Sequence, residues 1–206
     1  MAITKENPTF TLTVLRKKNK FRSLACHIHI LGAPGSGVTT LGKALAARLG
    51  FSHFDTDDYY WFTGDDLPYK RKRNVEHRCS LLSADLLKAE CWVLSGSLCG
   101  WGDRFIPEFD AAVYLWLPAE IRLARIRERE TTRYSADRLE TGGDLSAVYR
   151  KFLDWAASYD DAGDKIRSRA AELRWLEQLH CPAFIIEGEM SIDQLTDVTA
   201  AHIAGL

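Results

Sequence analysis

A chain of 206 residues, 46% hydrophobic and 27% charged, is long enough to bury one α/β core and has the composition neither of a disordered segment nor of a fibre. A formal net charge of -1 gives no global field for nucleic acid or an anionic membrane, so either partner would need a local patch. No apolar run approaches the ~18 residues of a membrane span, and the opening MAITKENPTFTLTVLRKKNK lacks the pattern of a secretory signal, so cytoplasm is the expected compartment.

Residues 1–24 are expected to form an N-terminal extension, with Thr9 to Val14 as a short edge strand and RKKNKFR as a solvated basic arm. From residue 25 to 206 short apolar runs alternate with helical periodicity, which predicts one domain with a mostly parallel sheet. Five strands are expected: His27 to Leu31, Ser52 to Asp55, Trp92 to Ser95, Ala112 to Leu117 and Ala183 to Glu187. Helical spacing links Leu41, Leu45 and Leu49, then Val148, Phe152, Trp155 and Tyr159, then Ile166, Ala170, Leu173 and Leu176. A helix start is expected after Pro118, and a helix capped by Ser191 closes the chain. The cysteines Cys26, Cys79, Cys91, Cys99 and Cys181 contain no CxxC pair and are expected as reduced thiols.

Between the first of these strands and its helix lies HIHILGAPGSGVTTLGKALAARLG. A glycine-rich turn in that place aims successive backbone N–H groups and the positive end of the helix dipole at an anion. Gly32, Gly35, Ser36, Gly37, Val38, Thr39 and Thr40 are therefore the expected phosphate-binding residues, with the Thr39 hydroxyl placed for Mg²⁺. Val38 stands where the pattern GxxxxGK[ST] carries lysine. Losing one preorganised cation costs about 3–4 kcal/mol of transition-state stabilisation unless another group supplies it. Nucleotide binding is less affected, because the amides and the metal remain.

FSHFDTDDYYW follows at the spacing of a second strand, which brings Asp55 and Asp57 to the carboxyl edge of the sheet beside the phosphates. There Asp55 suits a Mg²⁺ contact and Asp57 suits proton abstraction from, and binding of, an acceptor, unless Asp57 or Asp58 simply caps the next helix. Tyr60 is expected to wall the acceptor pocket, with Arg71 or Arg73 meeting an anionic acceptor; an aromatic core edge followed by a solvated basic loop fits the same residues. Gly96, after the third strand, permits either close ligand approach or tight packing. No nucleic-acid partner is expected, since the KRKR run is short.

Arg122, Arg125 and Arg129 share a stripe by their i, i+3, i+7 spacing, and TTRYSADRLETGGDLSAVYR then breaks periodicity at Gly142 and Gly143, as a lid over about 131–146 or a polar loop would. The phosphate loop resembles the GxPGSGKTT loops of adenylate kinases and related small-molecule kinases, and Asp55 with Asp57 resembles the Asp-x-Asp of shikimate-kinase-like enzymes. The order of motifs from Cys26 to the end is similar to that of bacterial adenylate-kinase-like P-loop ATPases. The resemblance implies a three-layer α/β/α P-loop NTPase fold, ATP and Mg²⁺ as cofactors, and transfer to a nucleoside monophosphate or small hydroxylated metabolite. It further implies nucleotide contacts for Arg125 and Arg129 and an adenine-cupping loop at Glu187 to Glu189, while a closing lid would bring Arg133, as a catalytic contact, and Arg138 to the phosphates. With Val38 in the loop, a nucleotide-binding protein with weak or no catalysis is the alternative. Monomer and homodimer both remain open.

Overall fold

The computed structural model describes residues 2–7, 9–15, 25–62, 69 and 71–206, with the backbone alone at 2, 3 and 5–7. The RKKNKFR arm and Lys70 lie outside the described residues, as does the expected boundary near residue 24. Apolar strands alternate with helices as expected. The strands are β1 (Ala2–Asn7), β2 (Phe10–Leu15), β3 (His27–Gly32), β4 (Ser52–Asp55), β5 (Trp92–Ser95), β6 (Ala111–Trp116) and β7 (Ala183–Gly188). The helices are α1 (Val38–Leu49), α2 (Thr56–Tyr60), α3 (Val75–Leu86), α4 (Ala119–Tyr134), α5 (Ala136–Leu139), α6 (Ser146–Ser158), α7 (Arg169–Glu177) and α8 (Ile192–Ala204).

These strands form one sheet in the order β1-β2-β7-β6-β3-β5-β4. The sheet has seven strands rather than the five expected. The five expected strands, β3 to β7, are its parallel part, and β1 and β2 add an antiparallel hairpin beyond β7. Thr9 to Val14 was expected at the edge, but β1 pairs outside β2, and Leu12 of β2 is 2% exposed. Alternation along β3 divides the core. Ile28 and Ile30 face Leu41 and Leu45 of α1 and Ile203 of α8, whereas Leu31 joins Leu82 of α3 and Trp175 and Leu176 of α7 on the other side. Two helical layers thus sandwich the sheet.

Local signals explain the helix ends. Ser191 and Gln194 form a reciprocal capping box at α8, Asn74 caps α3 by accepting from His77 N, and Ser168 caps α7 by accepting from Ala171 N. Ile166 precedes α7 and is exposed, so the apolar spacing around it extended that helix too far. The thiol expectation is corrected for one pair: Cys26 and Cys91, with Cα atoms 4.5 Å apart, are joined as a disulfide beside the starts of β3 and β5. Cys79 and Cys99 keep their thiols. Among the described residues no helix is long and apolar enough to cross a membrane.

Candidate functional site

β3 lies inside the sheet between β5 and β6, and the chain that leaves it for α1 emerges at the carboxyl edge. The crossover through α1 leads to β4 on one side of β3, whereas β6 and β7 lie on the other. Ligands of open α/β sheets bind where connections diverge in this way. The turn itself is closed by Ser36, whose N and Oγ both donate to the Ala33 carbonyl, at 3.1 and 2.7 Å. Gly37, at φ 99°, sits immediately before α1 in the left-handed region that favours glycine, and it opens the backbone toward solvent. Val38 is half-buried and packs against the α1 side of the core.

β4 ends at Asp55 and α2 begins at once, so Asp55 and Asp57 are not alternating strand residues. Asp55, not Asp57 or Asp58, caps α2: its Oδ1 accepts from Asp57 N at 3.0 Å. Its Oδ2 accepts from the Thr39 hydroxyl at 2.7 Å, which couples the end of β4 to the first turn of α1. Asp57 rides on that first turn of α2. It is open to the cleft but ringed by its walls; reduced solvation first, then the neighbouring Asp55 charge, raise its pKa above the ordinary value, against the Arg167 charge that lowers it.

These groups line a cleft of about 630 Å³, within the size range of small-molecule sites. Of the expected site residues, Gly32, Gly35, Gly37, Val38, Thr39, Thr40, Asp55, Asp57, Tyr60, Gly96 and Arg129 meet there. Gly96, at φ 103°, also serves packing, since a Cβ would fall 1.9 Å from Thr56 Oγ1. Glu130, from α4, and Val148, Phe152 and Trp155, from α6, also line the cleft.

Several arginines are placed elsewhere. Arg73 ties the α2 segment together: its Nη1 donates to the carbonyls of Asp58, at 2.8 Å, Tyr59, at 3.0 Å, and Trp61. Arg71 stacks on Phe62 at 4.7 Å, outside the cleft lining. Arg125 pairs with Glu189 at 2.9 Å rather than entering the cleft. Arg133 donates to the Tyr69 hydroxyl at 2.9 Å, and within the lid segment Arg138 forks onto Asp144 at 3.0 and 2.7 Å. Arg122, the first of the expected stripe, is fully buried and bound to Asp160 at 2.5 Å. The expected adenine loop is also engaged otherwise: Gly188 ends β7 opposite Phe10, and Glu187 pairs with Arg169 at 2.5 Å.

One cleft cation lay beyond sequence reasoning. Arg167, just before α7, donates from Nη2 to the carbonyl of Gly32 at 3.0 Å, across 135 positions of sequence. No local pattern announces such a contact.

The donor set fits Mg²⁺ in the way that ion is usually held, by one carboxylate and a hydroxyl with waters and phosphate completing the shell. Asp55 and Thr39 are already within hydrogen-bonding distance of one another. Among the described residues no cluster of three or more His, Cys, Asp or Glu forms a metal cage. For ATP, the glycine turn and the adjoining cleft supply amides and volume.

A glycine turn from an inner parallel strand, opening an amphipathic helix whose first hydroxyl touches the carboxylate of a nearby strand, defines a P-loop domain. The chain belongs to a family described as AAA domain, which matches residues 28–145, more than half of its length. An uncharacterized protein, YqaC, of Bacillus subtilis (strain 168) is 45% identical over 171 residues, spanning 83% of this chain and 93% of that protein. Cytidylate kinase of Archaeoglobus fulgidus is 27% identical over 124 residues, 55% of this chain and 67% of that one. Shikimate kinase from Acinetobacter baumannii, solved with shikimate, shares 22% identity over 75% of this chain and 92% of that chain, with a TM-score of 0.41.

Proposed function

We propose that the protein is an ATP-dependent phosphotransferase acting on a small acceptor, either a nucleoside monophosphate or a hydroxylated metabolite. The observation that carries this reading is the bond between Thr39 and Asp55 in the cleft that Asp57 also lines. Phosphate loop, metal-type donors and an acid–base group of raised pKa then share one mouth. The family match and the cytidylate kinase similarity agree with it.

In the proposed reaction the loop amides of Gly35 to Thr40 bind the phosphates, and Thr39 with Asp55 would hold Mg²⁺, which neutralises charge on the β and γ phosphates. The acceptor oxygen attacks the γ-phosphorus, and the bond from that phosphorus to the bridging oxygen of ADP breaks. A hydroxyl acceptor passes its proton to Asp57, giving ADP, phosphorylated acceptor and a proton, whereas a nucleoside monophosphate attacks with an ionised phosphate oxygen and gives ADP and nucleoside diphosphate with no proton released. Tyr60 and Trp61, which line the same cleft, would wall the acceptor.

Val38 favours a second reading, in which the protein binds nucleotide with little or no transfer. A coupled ADP-release assay across nucleoside monophosphates and hydroxylated metabolites separates the two. The kinase reading predicts acceptor-dependent ADP for at least one compound; no acceptor raising ADP above background while ATP still binds leaves the binding reading instead.

A further inference from the structure

The phosphate loop carries no cation of its own at position 38, yet its mouth is not uncharged. Lys72, Arg129 and Arg167 line the cleft among the described residues. Lys72 lies over the Tyr60 and Trp61 rings, at 5.6 and 5.7 Å, and Arg129 is tied to Glu130 at 2.6 Å. Of these three, Arg167 bonds the phosphate loop, through the Gly32 carbonyl at 3.0 Å.

Its setting is built. Arg167 Nε donates to Glu172 Oε1 at 2.9 Å, and Glu172 is fully buried. The other oxygen of that carboxylate accepts from the Tyr159 hydroxyl at 2.5 Å, and Tyr159 is bonded to the Tyr114 hydroxyl at 2.9 Å. Trp155 lies 5.4 Å from the guanidinium carbon. A buried carboxylate held by the Tyr159 hydroxyl, which Tyr114 bonds in turn, fixes the guanidinium before any ligand arrives, so little rotamer freedom remains to be lost on binding. A third of the Arg167 side chain, 34%, stays open, and its charge is felt by Asp57.

We propose that Arg167 replaces the missing P-loop lysine: it contacts the terminal phosphates of the bound nucleotide, with Glu172 and Tyr159 as its positioning residues. The guanidinium offers a planar fork that matches phosphate oxygens, which an ammonium cannot. The compensating charge therefore comes from the segment before α7, not from Arg133 or Arg138 of the lid segment. The proposal rests on the nucleotide-binding reading above.

Calorimetric titration of the full chain with Mg·ATP and with AMP tests it. Arg167→Ala is expected to weaken Mg·ATP by about tenfold to a hundredfold while AMP changes by less than about twofold, a split that general loosening of the fold does not produce. Arg167→Lys should retain part of the affinity, and Val38→Lys added to Arg167→Ala should restore it. Should Arg167→Ala lose its cooperative thermal transition, Arg167→Gln with Glu172→Gln, which leaves no buried charge unpaired, carries the same expectation. Undiminished Mg·ATP binding in the folded variant overturns this proposal alone. A folded wild type that binds no Mg·ATP overturns the nucleotide reading and takes this proposal with it.

Discussion

Asp57 owes its chemistry to a neighbour in sequence and to a residue far away. Asp55 ends β4 and caps α2, so the first turn of α2 must carry Asp57 close to the Asp55 charge, while Arg167 opposes it from the segment before α7. A general base works when deprotonated, so activity should rise with pH through the raised pKa of Asp57, inflecting above the ordinary aspartate value of 3.8. Asp55→Asn removes the larger of the charge causes that raise it and should move that acid limb to lower pH; an acid limb unmoved in that variant contradicts the assignment. Asp57→Asn should lower turnover by about 10²–10⁴ while Mg·ATP affinity holds within about twofold. Equal turnover in the variant and the wild type would remove Asp57 from the chemistry.

Contiguity decided which site residues were legible. Gly32 to Thr40 and Asp55 could be placed from sequence because strand, turn and helix fix them locally. The stripe from Arg122 to Arg129 shows the limit: helical spacing says which side chains share a side, not what lies against that side. Arg122 is swallowed between α4 and the end of α6, where it bonds the Leu117 and Ala156 carbonyls as well as Asp160, whereas Arg129, two turns on, reaches the cleft. Arg167 was invisible because its partner at Gly32 lies at the far end of the chain in sequence.

At the scale of elements, β3 does two jobs. Its carboxyl end opens the phosphate loop, and its interior carries His29, fully buried, stacked on Phe109 at 4.9 Å. His29 Nδ1 bonds the Leu94 carbonyl at 3.1 Å, and its Nε2 has no partner among the described residues. Burial pushes its pKa down from 6.5 to about 3, despite that carbonyl. The folded protein therefore holds a neutral imidazole where the unfolded chain takes up a proton, so stability is lost as pH falls from 6.5 toward 3. The slope should be roughly 1.4 kcal/mol per pH unit. Urea unfolding between pH 7 and 4.5 checks this: the wild type should lose stability relative to His29→Gln, which keeps a donor but cannot titrate. Parallel curves would contradict it. The parallel strands themselves were legible as apolar runs between helices, whereas β1 was not, because AITKEN carries no alternating apolar face.

For the whole molecule, the hairpin of β1 and β2 lengthens the sheet past β7 and takes up the edge from which the expected adenine loop would have projected. Glu189 N donates to the Thr9 carbonyl at 3.1 Å, which ties that region to the hairpin. If β2 is integral to the sheet, Leu12→Ala should cost about 2–4 kcal/mol, read as a lower urea midpoint at unchanged slope. An unshifted midpoint would make the hairpin an ornament. What organises the molecule, however, is the carboxyl edge of β3, where amides, a hydroxyl, two carboxylates and a guanidinium held from afar converge on one cleft. Equilibrium titration of the folded wild type with Mg·ATP, without acceptor, tests that most directly. Saturable one-to-one binding that ADP competes away is the predicted result, and no detectable association of ATP or ADP at millimolar concentration would contradict it.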